Sequence, residues 1–69
     1  MADKELAIRI GKGLRELRGI RTQIGVAHAL GIHQNSLNNY EKGRRIPPDS
    51  VKKKFCEYYG IPISFFYPD

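Results

Sequence analysis

The sequence predicts an all-α fold, a compact bundle of about five short helices, and three observations carry that reading. Apolar residues recur at spacings of three and four, as in Leu6, Ile10, Leu14 and Leu17, which is the period of one helix face. Glycines at positions 19, 31, 43 and 60 stand where the apolar stripes stop, as expected of helix ends. No segment alternates apolar and polar residues in the manner of a half-buried strand.

The first helix is expected over roughly residues 3–18. Asp3 can cap it, and Asp3 and Glu5 complement the positive end of its dipole. Gly11 and Gly13 lie inside the stripe, where each costs helix stability up to about 1 kcal/mol relative to Ala. Because the stripe continues through them, they mark close packing and not a break. Thr22 can cap a second helix that runs to Leu30 and buries Val26, Ala27 and Leu30. The third runs from His33 or Gln34 to Lys42, with Leu37 and Tyr40 inward. Pro47-Pro48 excludes helix from the loop that starts at Arg44. Asp49 or Ser50 starts the fourth helix, with Val51, Phe55, Cys56 and Tyr59 inward, and one last helical turn can begin at Ser64.

The chain has 69 residues, which bounds it to a single domain, residues 1–69, of modest stability. One cysteine, Cys56, excludes an internal disulfide. Twelve basic residues against seven acidic ones give a net charge of +5, which favours a polyanionic partner. No apolar run is long enough for a membrane span, and the charged start Asp3-Lys4-Glu5 lacks a secretory core. A cytoplasmic setting without a membrane partner is therefore expected.

Residues 23–42, QIGVAHALGIHQNSLNNYEK, meet the steric demands of two helices crossing at a tight turn. Ala27 is small where the third helix crosses the second. Gly31 tolerates a left-handed backbone. Ile32 is an apolar plug, and Val26, Leu30, Leu37 and Tyr40 are anchors. This stretch resembles the helix-turn-helix of the Cro and phage-repressor type, the XRE family. Thr22-Gln23, Glu41-Lys42-Gly43, Ile10-Gly11-Lys12, Leu14–Arg18, Pro47-Pro48 and Tyr59-Gly60-Ile61 with Ser64-Phe65-Phe66 extend the likeness over roughly residues 8–67. The resemblance implies a lambda-repressor-like DNA-binding domain. It also implies an ion pair between a first-helix arginine, Arg15 or Arg18, and Glu41. The connection Arg18–Arg21 is shorter than is usual in the family, and Gly25 stands where a helix-favouring residue is more common.

A helix of this kind lies in the major groove of double-stranded DNA. Gln34, Asn35, Asn38 and Asn39 would face outward, and amide side chains match the donor and acceptor of adenine N6 and N7. By resemblance, Gln34, Asn35 and Asn38 contact bases. Gln23 resembles the family's phosphate-binding glutamine. His33, Ser36, Asn39, Arg44 and Arg45 are candidates for backbone or secondary contacts. Lys52, Lys53 and Lys54 read either as a phosphate-facing run or as a solvated face.

His28, His33 and Cys56 have no metal-ligand spacing, so no metal or cofactor is expected. No nucleophile-base constellation is visible, so an enzyme is not expected. Phe65, Phe66 and Tyr67 either close the core or form part of a dimer surface. Taken together, these residues suggest a transcriptional repressor that binds a pseudo-palindromic operator as a homodimer, in a bacterial or phage-infected cell. The alternative is an antitoxin or another protein-binding module on the same fold. The chain would also suit the N-terminal domain of a longer repressor.

Overall fold

A computed structural model describes residues 2–67, with Ala2 described by its backbone alone. The elements are α1 (Ala2–Arg18), α2 (Gln23–Leu30), α3 (Gln34–Glu41), α4 (Asp49–Tyr59) and a 3-10 turn, Ile63–Phe66. The expected all-α bundle is what forms. Asp3 does not cap α1. The helix starts one residue earlier, so Asp3 lies in its first turn beside the dipole, as Glu5 does. The third helix closes at Glu41, with Lys42 as its cap residue, and the last turn starts at Ile63 in place of Ser64. No helix among the described residues is long and apolar enough to cross a membrane.

One core gathers the inward face of every element. Ala7, Ile10 and Leu14 come from α1, Val26, Ala27 and Leu30 from α2, Leu37 and Tyr40 from α3, and Val51 and Phe55 from α4. Phe66 closes it from the 3-10 turn and is fully buried. The Phe55 ring sits at the centre, with the rings of Tyr40, Tyr59 and Phe66 within 6.3 Å between centroids. Such pairs add to area burial when offset or edge-on. Cys56 and Tyr59 are only partly buried at its margin. Phe65 packs on Gly13, where an added Cβ would stand 2.5 Å from the ring. The two phenylalanines therefore belong to the core, and only Tyr67 of that trio is exposed.

The two α1 glycines do mark close packing. A Cβ on Gly11 would fall 2.5 Å from the carbonyl oxygen of Glu41 and 2.6 Å from that of Tyr40. Main chain of α1 thus touches main chain at the end of α3, and no residue larger than glycine fits between them.

The short joint from Arg18 to Arg21 is closed by its own arginines. Gly19 takes φ +57°, a left-handed conformation that glycine adopts without steric penalty. The Arg21 amide donates to the Arg18 carbonyl at 3.0 Å. The Arg18 guanidinium donates through Nη1 to the Arg21 carbonyl at 2.6 Å, and Arg21 Nη1 donates to the Leu17 carbonyl at 3.1 Å. The Leu17 carbonyl near the end of α1 is thus satisfied by a side chain and the Arg18 carbonyl by a backbone amide, so the turn needs no more residues than it has.

Candidate nucleic-acid interface

The second and third helices are fixed at both ends. The Thr22 hydroxyl accepts the Gly25 amide at 3.0 Å, capping α2. Glycine at this third helical position leaves room for that approach: a Cβ would come within 2.9 Å of the hydroxyl oxygen. Gly31, at φ +68°, donates to the His28 carbonyl at 3.1 Å, and Ile32 donates to the Ala27 carbonyl at 3.0 Å. That pair of bonds ends α2 and turns the chain sharply, with Ile32 packed against the core. His33 then caps α3, its Nδ1 accepting the Asn35 amide at 3.2 Å. Nδ1 therefore carries a lone pair, and the ring proton sits on Nε2.

On α3, Leu37 and Tyr40 face the core while Gln34 and Asn35 are exposed at the helix start. Ser36, Asn38 and Asn39 are half-buried along its flanks. Asn39 Oδ1 accepts from Arg44 Nη1 at 3.4 Å, which draws Arg44 back along the helix. Arg45 is exposed in the following loop. Both arginines line a shallow groove between this loop and the start of α1, together with Lys4 and Lys42. Sequence reasoning missed that grouping because Lys4 is distant along the chain and joins the loop only through the packing of α1 on α3.

Behind α3 lies a polar chain that ties three helices. Arg18 forms a two-point ion pair with Glu41, Nε to Oε2 at 2.7 Å and Nη2 to Oε1 at 3.1 Å. The side chains are 17% and 3% exposed. The hydrogen bond to Glu41 raises the Arg18 pKa above its ordinary value, against the opposing effect of burial. Of the two arginines implied by the resemblance, Arg18 is the one that reaches. Gln23 Nε2 donates to Glu41 Oε1 at 3.0 Å and to Asn38 Oδ1 at 3.2 Å. The Gln23 side-chain nitrogen is thus turned toward α3, and both of its hydrogens are used.

The lysine run on α4 divides. Lys53 and Lys54 are exposed, but Lys52 is 7% exposed. Its ammonium donates to the Tyr67 hydroxyl at 2.8 Å and lies 3.7 Å from Asp49, while the Tyr67 hydroxyl donates to Asp49 at 3.2 Å. Lys52 therefore pins Tyr67 to α4, a role the plain run of three lysines does not reveal. Among the described residues, no three His, Cys, Asp or Glu side chains group as metal ligands would.

Among curated proteins and among solved structures, nothing matches this chain. The family model described as helix-turn-helix does match, over residues 12–66. That span runs from the middle of α1 to Phe66 and holds the capped α2–turn–α3 unit, its Glu41 anchor and the core beneath it. The chain belongs to the helix-turn-helix family of the Cro/C1 type, the XRE family of DNA-binding regulators.

Proposed function

We propose that this domain is a sequence-specific transcriptional repressor that inserts α3 into the major groove of a pseudo-palindromic operator and binds it as a homodimer. The observation that carries the reading is the exposed start of α3, where Gln34 and Asn35 stand on a helix capped at both ends. Side chains at the N-terminal half of such a helix meet base edges. Gln34, Asn35 and Asn38 read bases. Arg44 and Arg45 contact phosphates, with Ser36, Asn39 and the Nε2–H of His33 as secondary contacts. Gln23 meets the backbone through its main-chain N–H, beside the positive end of α2, because its side chain is held by Glu41 and Asn38. Size is compatible with the dimer. The domain extends 31 Å in its longest direction, and half-sites one helical turn, about 34 Å, apart accommodate one copy each. A cytoplasmic setting fits such a regulator.

Selection of bound sites from randomised duplex DNA tests this. A two-fold consensus is expected. Gln34→Ala should weaken binding by about 1–3 kcal/mol and relax preference at one base pair of each half-site. Unselective binding by the wild-type protein, together with stoichiometric capture of a protein partner, would favour the protein-binding alternative.

A further inference from the structure

We propose that Asn38 is held as a hydrogen-bond donor toward the DNA, and that this makes it select guanine, through an orientation imposed by Arg18, Glu41 and Gln23. The inference deepens the repressor reading and rests on α3 lying in the major groove.

The argument begins at Glu41. Its carboxylate is 3% exposed and paired with Arg18 at two points, so it is ionised and can only accept. The Gln23 amide lies 3.0 Å from Glu41 Oε1. An amide oxygen there would face a carboxylate oxygen, so the Gln23 nitrogen must occupy that position. Its second hydrogen then points to Asn38 at 3.2 Å. If Asn38 were reversed, NH2 would face NH2, so Oδ1 must lie against Gln23. The one fixed charge on Glu41 thus sets two amide orientations in sequence, and the group left for the groove is Asn38 Nδ2 with its two hydrogens.

A free asparagine pairs with adenine because it offers an acceptor and a donor side by side to N6 and N7. With Oδ1 turned toward Gln23 and one of its lone pairs engaged there, Asn38 presents its NH2 donors on the opposite side. Guanine presents two adjacent acceptors, N7 and O6, whereas adenine sets a donor, N6, beside N7. The orientation therefore favours guanine and disfavours adenine at the pair that Asn38 meets. Gln23 acts here as a positioning residue, on a different helix from the base-contacting amide.

The test compares sites selected from randomised duplex DNA by the wild-type protein, Gln23→Met and Asn38→Ala, each first checked for helical circular dichroism and cooperative melting. Wild type should prefer guanine over adenine by about tenfold at one pair per half-site. Gln23→Met should bring that ratio near unity or reverse it, leaving the pairs under Gln34 and Asn35 unchanged. Side-chain amide exchange in the free wild-type protein, read by NMR, supplies a check independent of variants: the Gln23 NH2 should exchange more slowly than the Asn38 NH2. A wild-type preference for adenine at that pair overturns the imposed orientation. So does an unchanged Gln23→Met profile, or faster exchange at Gln23 than at Asn38. An Asn38→Ala profile identical to wild type at every pair overturns the base contact, and the proposal with it. If no variant and no wild-type protein selects any sequence, the repressor reading itself has failed.

Discussion

Tyr59 is the residue at which the interior is least satisfied. Its hydroxyl is buried and, among the described residues, has no hydrogen-bond partner. Burial raises its pKa, and the charge of Glu41 adds to the rise. Leaving a hydroxyl desolvated and unpaired is costly, so Tyr59→Phe should keep the ring stack on Phe55 and stabilise the domain by up to about 1 kcal/mol. The pH dependence has a definite sign. The native state holds Tyr59 neutral while an unfolded tyrosine ionises near its ordinary value of 10.0. Tyr59's contribution is therefore complete below that value and is lost as pH rises through its raised native pKa. Urea melts at a series of alkaline pH values should show a shallower loss of stability for Tyr59→Phe. An equally steep loss in both proteins would show that Tyr59 does not titrate differently on folding. None of this is visible in the sequence, where Tyr59 reads as one more inward residue of an amphipathic stripe. Periodicity gives the direction of a side chain but not whether its polar end finds a partner.

The elements themselves were largely legible, because local chemistry fixes them. Thr22, Gly31 and the proline pair set helix ends through their own hydroxyl, φ preference or missing N–H, and each acts within a few residues. What joins element to element was legible only in part. Gly11 within an unbroken stripe signalled close approach, but its partner, the main chain at Tyr40 and Glu41, is known only once α1 crosses α3. The same crossing decides that Arg18 and not Arg15 meets Glu41. This contact yields a prediction with opposed terms. On helix propensity alone, Gly11→Ala would gain up to about 1 kcal/mol. A methyl 2.5 Å from a carbonyl oxygen cannot be relieved by a side-chain rotation, so α1 must move off α3, and overpacking of this kind costs about 1–3 kcal/mol. The overpacking wins. Gly11→Ala should lower the melting temperature and, by shifting Glu41, weaken DNA binding, whereas Gly13→Ala meets only the Phe65 ring and should cost less. Equal melting temperatures for the Gly11 variant and wild type would show that the helix contact yields freely.

At the scale of the whole molecule, the net charge of +5 does not say which cations face the DNA. The fold separates cations engaged within the protein from exposed ones. Arg18 is committed to Glu41, and Arg21 lies over the rings of Tyr58 and Tyr59. Lys52 is buried against Tyr67 and Asp49. Arg44 and Arg45 remain exposed just after α3, with Lys4 and Lys42 beside them in the same groove. Each phosphate neutralised by a cation releases counterions, so the logarithm of affinity falls with that of salt by a slope of about 0.9 per contact. A dimer makes each contact twice. Arg45→Gln should therefore flatten the slope by about 1.8 and weaken binding to selected and unselected DNA alike, since phosphate contacts carry no sequence information. Lys52→Gln removes the same formal charge from a buried position on α4. It should loosen the packing of Tyr67 and leave the salt slope as it was. Titrations of both variants over a series of salt concentrations separate a local contact from a diffuse effect of net charge: equal flattening by the two would mean that the domain meets DNA as a uniformly positive body and that the groove at Arg44 and Arg45 has no special part in it.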